Sequence, residues 1–355
     1  MQWREFHCVD SSKRRESVKT RVRIGRLAAT GFVWLALCPQ AHAARSGPRR
    51  RATQKAIRVV VAPNGRGDFT TIQEAMDHAP VEGAGRLIIE IRPGVYHERV
   101  IIPQDRPRVT LIGLGKSPAD TVITYNMSAK AAGGTFFSST VEINGTAFRA
   151  ENLTFQNSYG PGSQAVALAI HSDRAVFRHC RFIGYQDTLY AATGRQYYYD
   201  CYIEGAVDFI FGNARAVFDH CVIRSNGPGY ITAESRREPD GSGGYVFYRC
   251  RLTGQNTGKG VFLGRPWRSY SRVVYIDCWM GNQIRPSGWN NWNSVAKEKT
   301  AWYAEYGSTG PGANPEARVK WARKLTRHEA QHFRPQRFLR GKDNWNPITA
   351  GSDQP

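Results

Sequence analysis

The sequence contains no Cys-x-x-Cys pair, no Gly-x-Ser-x-Gly segment, no long periodic helix and no apolar run of bilayer-spanning length. Each absence removes a class of protein. Without Cys-x-x-Cys, a cysteine-held metal loses its usual spacing. Without Gly-x-Ser-x-Gly, the sharp turn that presents a serine nucleophile in Ser-His-Asp esterases is missing. The only long apolar stretch, Leu27 to Cys38, is about a dozen residues against the ~20 needed to cross a bilayer, so no stable membrane anchor is expected. Acidic residues are also scarce, 29 against 49 Lys and Arg. No aromatic–basic nucleic-acid motif accompanies that charge, so nucleic acid is not an expected partner.

The first 44 residues carry a basic stretch (Arg21, Arg23, Arg26), then the apolar run, then Ala41-His42-Ala43. This is the order of an export signal with a small-residue cleavage site. Residues 1–44 are therefore expected to be removed, residues 45–56 to form a basic linker, residues 57–345 the folded domain and residues 346–355 a flexible tail. The chain is expected to be secreted, periplasmic or extracellular. The leader's eight basic and three acidic residues take +5 from the formal +20, leaving about +15 on the mature chain. A surface of that sign favours polyanions, and outside the cell these are acidic polysaccharides and cell surfaces.

Thirty-five glycines and many short β-branched runs indicate a turn-rich β protein. Five of the seven cysteines close nearly identical segments: Val176 to Cys180, Tyr197 to Cys201, Val217 to Cys221, Val246 to Cys250 and Val274 to Cys278. Two residues on, each is followed by Phe182, Ile203, Ile223, Leu252 or Met280. The spacings of 21, 20, 29 and 28 residues are those of a solenoid whose later coils have longer turns. Such a unit cannot bury its own inner face, so stacked neighbours must supply the core. Runs at Leu87 to Ile91, Val109 to Ile112, Val122 to Tyr125, Val141 to Ile143 and Leu153 to Phe155 extend the series toward the N-terminus. The expected fold is all-β, a single-stranded parallel β-helix. A short helix at Thr70 to Met76, with Thr71 and Glu74 as its capping box, should close one end. A C-terminal segment after Trp302 should cover the coils. The repeat cysteines should form a buried ladder, with Cys221 and Cys250 the pair to bridge if a disulfide forms.

The same repeat organises the acidic residues. Asp187 lies seven residues after Cys180, and Asp208 seven after Cys201. In phase on successive coils, two carboxylates become neighbours that cannot both ionise freely; one is then suited to be an acid and the other a nucleophile or base. Their setting is apolar, Val207-Asp208-Phe209-Ile210-Phe211 above all. A solvated turn has no need of such surroundings.

Gln164 to Leu168, Gly184 to Tyr190, Val207 to Gly212 and Leu263-Gly264-Arg265-Pro266-Trp267 resemble, in order and spacing, the signature segments of the pectin methylesterases, and Gly94 to Glu98 is similar to an earlier one. The resemblance runs from about Val59 to Leu339 and lacks the long inhibitory pro-region of many relatives. It implies a right-handed parallel β-helix and a pectinesterase, a carboxylic ester hydrolase that converts galacturonate methyl esters to carboxylates and methanol. Its partner would be pectin, or methyl-esterified polygalacturonate, with no metal or other cofactor and a monomer as the working state. Carried over residue by residue, it implies Asp208 as nucleophile, Asp187 as acid and then base, Gln186 and Gln164 as oxyanion donors and Arg265 as the group orienting the nucleophile. Thr135, Gln164, Arg265 and Trp267 would touch substrate. Trp289 and Trp292 are left outside the site as turn aromatics.

Other readings remain open on the residues. A β-helix also serves polysaccharide lyases and glycoside hydrolases, or a binding protein without catalysis, because function resides in the site. Lyases and hydrolases need a calcium-binding acidic cluster or paired acids about a glycosidic bond. His328-Glu329-Ala330-Gln331-His332 matches His-Glu-x-x-His, but only 23 residues follow it and arginines surround it, so a solvated helix end is the expected reading.

Overall fold

A computed structural model of the chain describes residues 55–80, 85–255, 258 and 260–349. The expected export signal, nearly all of the linker and the end of the tail lie outside these residues. The short β-branched runs become strands, and strand pairing among the described residues is parallel, one coil to the next. One sheet of 11 strands runs from Ile57–Val61 to Arg323–Lys324, and a second of 13 strands takes up the remainder of each coil. The chain is a right-handed parallel β-helix.

The corner between the sheets explains the cysteine repeat. Asn152, His179, Asp200, His220, Arg249 and Asp277 occupy equivalent places, each with φ between 49° and 57°. A left-handed residue turns the strand sharply, and Asn, Asp and His enter that region at the least cost. The next residue points inward: Leu153, then Cys180, Cys201, Cys221, Cys250 and Cys278, all buried. A small apolar thiol fits the crowded inside of a corner. All five thiols are free. They bond to main chain instead, Cys250 to the Phe218 carbonyl at 3.2 Å and Cys278 to that of Phe247 at 3.3 Å. Burial pushes the Cys180 thiol up to about 12.

Beside the thiols, rings repeat in register. Phe177, Tyr198, Phe218, Phe247 and Tyr275 stack with centroids 4.9, 4.7, 4.6 and 4.5 Å apart. Each is fully buried and contributes on the order of 2 kcal/mol by leaving water. The helix Ile72–His78 puts Ile72, Ala75 and Met76 into the same core and so closes its N-terminal end. Thr71 caps it by accepting from the Glu74 N–H at 3.1 Å, but the Glu74 carboxylate accepts in return from the Thr70 N–H. Glu98, from the following coil, accepts from the N–H groups of Ile72 and Gln73, both at 2.9 Å. At the other end, strand Trp302–Tyr306 continues the 11-stranded sheet. Thereafter Ala330, Phe338 and Leu339 lie against Val176, Val217, Val246 and Val274, the expected C-terminal cover.

Candidate active site

Asp187 and Asp208 come together because their coils are in register. Leu189 pairs with Ile210 and Gln186 bridges to Val207, so the two aspartates occupy the same place on adjacent coils. Both have left-handed backbone, with φ 62° and 50°. In the strand Tyr202–Gly212 the pairing with Val222–Glu234 shifts between Val207 and Ile210. A bulge of this kind bends a strand and re-aims its side chains, here at Asp208.

Arg265 arrives from a later coil. Its Nε donates to Asp208 Oδ1 at 2.9 Å and its Nη2 to Oδ2 at 2.6 Å, a two-pronged contact. Gly264 makes the approach possible, since a Cβ there would lie 2.0 Å from Thr232 Oγ1. The Arg265 and Trp267 N–H groups then bond to the carbonyls of Thr232 and Glu234. Glu234 is a fully buried carboxylate that accepts from the N–H groups of Arg236 and Arg272, and burial pushes it up to about 7. Its carboxyl holds Arg272 and its main-chain carbonyl holds Trp267, so it fastens the segment that follows Arg265.

The two carboxyls differ electrostatically. Burial raises both above the usual 3.8, but at Asp208 the Arg265 guanidinium pulls back down through its hydrogen bonds and charge. Asp187 lacks that hydrogen-bonded partner; burial and the charge of Asp208 hold it well above the ordinary value. A proton is thus better kept on Asp187, and a negative charge on Asp208. Gln164 and Gln186 lie on neighbouring coils, joined by the Ala165 N–H, which donates to the Gln186 carbonyl at 3.0 Å. Both side chains are only partly buried, so their amides can meet a ligand. An acid, an anion and two neutral donors on one face can do acyl chemistry.

The family model described as Pectinesterase matches residues 58–342. The chain belongs to the pectinesterase family. It is 42% identical to Pectinesterase 31 of Arabidopsis thaliana over 293 residues, 79% of this chain and 91% of that protein. Among solved structures it is similar to pectin methylesterase from carrot, with 37% identity, a TM-score of 0.78 and coverage of 82% and 95% of the two chains. It is also similar to a pectin methylesterase in complex with a hexasaccharide, with 30% identity, a TM-score of 0.69 and coverage of 81% and 97%. As a pectinesterase the chain is a carboxylic ester hydrolase.

Along the outer face of this pectinesterase, aromatic rings run past the carboxylates. Phe136 meets Tyr190 at 4.9 Å, Tyr190 stacks on Phe211 at 4.6 Å, and Phe211 reaches Trp267 at 6.1 Å. Thr135 opens the short 3-10 turn Thr135–Phe137 at one end of this row, and Trp267 stands at the other. The structure thus brings Asp187, Asp208 and Arg265 together, places Gln186 and Gln164 on neighbouring coils beside them in the chain, and sets Thr135 and Trp267 at the two ends of the row of rings. Tyr190 and Phe211 were not among the expected site residues, yet each lies three residues after its aspartate, a phase relation readable from the repeat. The two turn tryptophans separate: Trp289 is buried against Tyr275 and Tyr303, whereas Trp292 lies over Arg265 at 3.7 Å. His328 and His332 form an edge contact at 5.5 Å. Between them the helix stops at Ala330, and Glu329 is engaged in a capping box with Thr326.

Proposed function

We propose that this pectinesterase removes methyl groups from galacturonate methyl esters of pectin through a covalent intermediate on Asp208. The two-pronged Arg265–Asp208 contact, beside an Asp187 carboxyl that burial holds well above its ordinary value, is the observation that supports this reading most. Asp208 attacks the ester carbonyl carbon, and the developing oxyanion accepts from the amides of Gln186 and Gln164, each worth ~3 kcal/mol when fully used. As the carbon–oxygen bond to methoxide breaks, Asp187 gives its proton to that oxygen and methanol leaves. The galacturonyl group is then held on Asp208 as an anhydride. Asp187, now ionised, takes a proton from water, whose oxygen attacks the galacturonyl carbon. The bond to Asp208 breaks, releasing galacturonic acid, which gives its proton to solvent to become the carboxylate, and restoring Asp208 as an anion and Asp187 as an acid. One sugar face rests on Trp267, and Thr135 contacts the chain at the opposite end of the row of rings.

The same reading makes the protein a secreted monomer that works without a metal, with residues 1–44 lost on export. Methanol release from esterified pectin, measured beside depolymerisation and beside a serine methyl ester, tests the reaction. Methanol without chain cleavage or amino-acid ester hydrolysis is the expected result, and chain cleavage without methanol contradicts it. Hydroxylamine should intercept the acylated enzyme as a galacturonyl hydroxamate, in a ratio to galacturonate that is the same for methyl and ethyl esters because both give one intermediate. A ratio that changes with the leaving alcohol points to direct attack on the ester instead.

A further inference from the structure

The guanidinium of Arg265 is held at more than its edge. Tyr230 lies 3.8 Å from the guanidinium carbon and Trp292 lies 3.7 Å from it, measured to the ring centroids. The two rings come from different coils. Tyr230 is on the strand Val222–Glu234, paired with Val207 on one side and Phe262 on the other. Behind it the stack continues through Phe262 at 5.3 Å to Arg285, 4.7 Å from the Phe262 ring. On the other side Lys297 Nζ lies 5.4 Å from the Trp292 ring and donates to the carbonyls of Pro266 at 2.9 Å and Trp267 at 3.3 Å.

Trp292 is built into this position at a cost. Its φ is 56°, a left-handed backbone that bulky residues avoid and that persists where the surroundings over-determine it. Those surroundings are present: Asn290 Oδ1 accepts from the Trp292 N–H at 2.8 Å, and the Asn290 N–H bonds to the Gly264 carbonyl at 3.1 Å. The segment bearing Trp292 is therefore fastened to the residue that precedes Arg265. A ring that served only to carry a sugar would gain nothing from being strapped to this arginine. A flat cation covered on its faces gains attraction from the ring quadrupoles and loses freedom to turn.

Resting on the roles proposed above for Arg265 and Asp208, we infer that Tyr230 and Trp292 are positioning residues that grip the Arg265 guanidinium and so fix the direction and charge of the Asp208 carboxylate. Neither ring takes part in bond-making. Removing one leaves Arg265 present but free to swing, so Asp208 is aimed less often and is easier to protonate.

The test compares Trp292→Leu, Trp292→Phe, Tyr230→Leu, Tyr230→Phe and Arg265→Lys with the parent on a short methyl-esterified oligogalacturonide, across pH. Each Leu variant should lose about 10-fold in kcat, with KM changed much less. The acidic limb of kcat/KM should move to higher pH, and the Phe variants should recover most of both effects. In the Arg265→Lys background, which has no flat cation to grip, Trp292→Leu should have little further effect on kcat. Because the rings come from different coils, a variant at one that fails to fold leaves the other to decide. Leu variants that raise KM and leave kcat and the acidic limb alone overturn the inference. An acidic limb that moves in Arg265→Lys but in neither Leu variant overturns the grip alone. One that is unmoved in Arg265→Lys itself overturns the proposed role of Arg265 and the grip with it.

Discussion

The five thiols inside the corner and the two aspartates outside it are products of the same repeat. Cys180, Cys201, Cys221, Cys250 and Cys278 recur on every one of five coils, all buried and bonded to main chain. Asp187 and Asp208 recur on two coils and then stop, and a later coil brings Arg265 to only one of them. A residue type repeated without interruption in a solenoid fills a structural need that every coil shares. One that appears twice and meets a partner found nowhere else marks a place where the coils were diverted to chemistry. The comparison also separates two consequences: loss of a thiol should harm the fold and spare the rate, and loss of an aspartate should do the opposite.

The largest expected effect is at Asp208. Asp208→Asn should lower kcat by at least about 10⁴-fold with little change in the circular dichroism spectrum. Retained turnover removes Asp208 from the nucleophile's role and the carboxylates from their side of the comparison. Asp187→Asn should cost about 10²–10⁴-fold, and it sharpens the contrast through stability. Burial keeps the Asp187 pKa well above the ordinary 3.8. A carboxyl raised by folding contributes its full stability below the unfolded value and loses it as pH climbs toward the folded one. The Asn variant should therefore melt higher than the parent at neutral pH and match it near pH 3, as read by calorimetry. A difference that runs the other way contradicts the buried neutral acid.

On the structural side, Cys221→Ala should cost about 1–3 kcal/mol for a cavity at a well-packed corner, seen as a lower Tm, while kcat of the folded enzyme stays within about twofold of the parent. A thiol variant that keeps its Tm and loses rate dissolves the distinction. The smallest effect concerns the formal charge, about +15 on the chain without residues 1–44, whose loss on export is proposed above. Between 0.1 M and 1 M salt the Debye length falls from ~10 Å to ~3 Å, so affinity for acidic pectin should weaken. Turnover of a short neutral methyl ester, which relies on Trp267 and local hydrogen bonds, should barely change.

Much of this was legible in the sequence because a solenoid writes its geometry as a period. The cysteine spacing gave the coil length, the seven-residue offset put Asp187 opposite Asp208, and Thr71 was readable as a cap. Contacts outside the period were not readable. Glu98 bonding to Ile72 and Gln73 depends on how one coil end meets a helix. The bulge at Asp208 and the placement of Tyr230 and Trp292 about Arg265 arise where coils lengthen and register shifts. The same limit explains Trp289 and Trp292, three residues apart and alike in composition. The chain turns between them, so one enters the core and the other covers the arginine.

The division of labour between the two aspartates is most directly tested with a trifluoroethyl galacturonate ester, whose leaving group departs without a strong acid. Asp187→Asn should release a burst of trifluoroethanol stoichiometric with enzyme and then stall, because Asp208 is acylated and no base activates water. Asp208→Asn should give no burst. A burst from Asp208→Asn, or its absence from Asp187→Asn, contradicts a nucleophile and an acid set on adjacent coils.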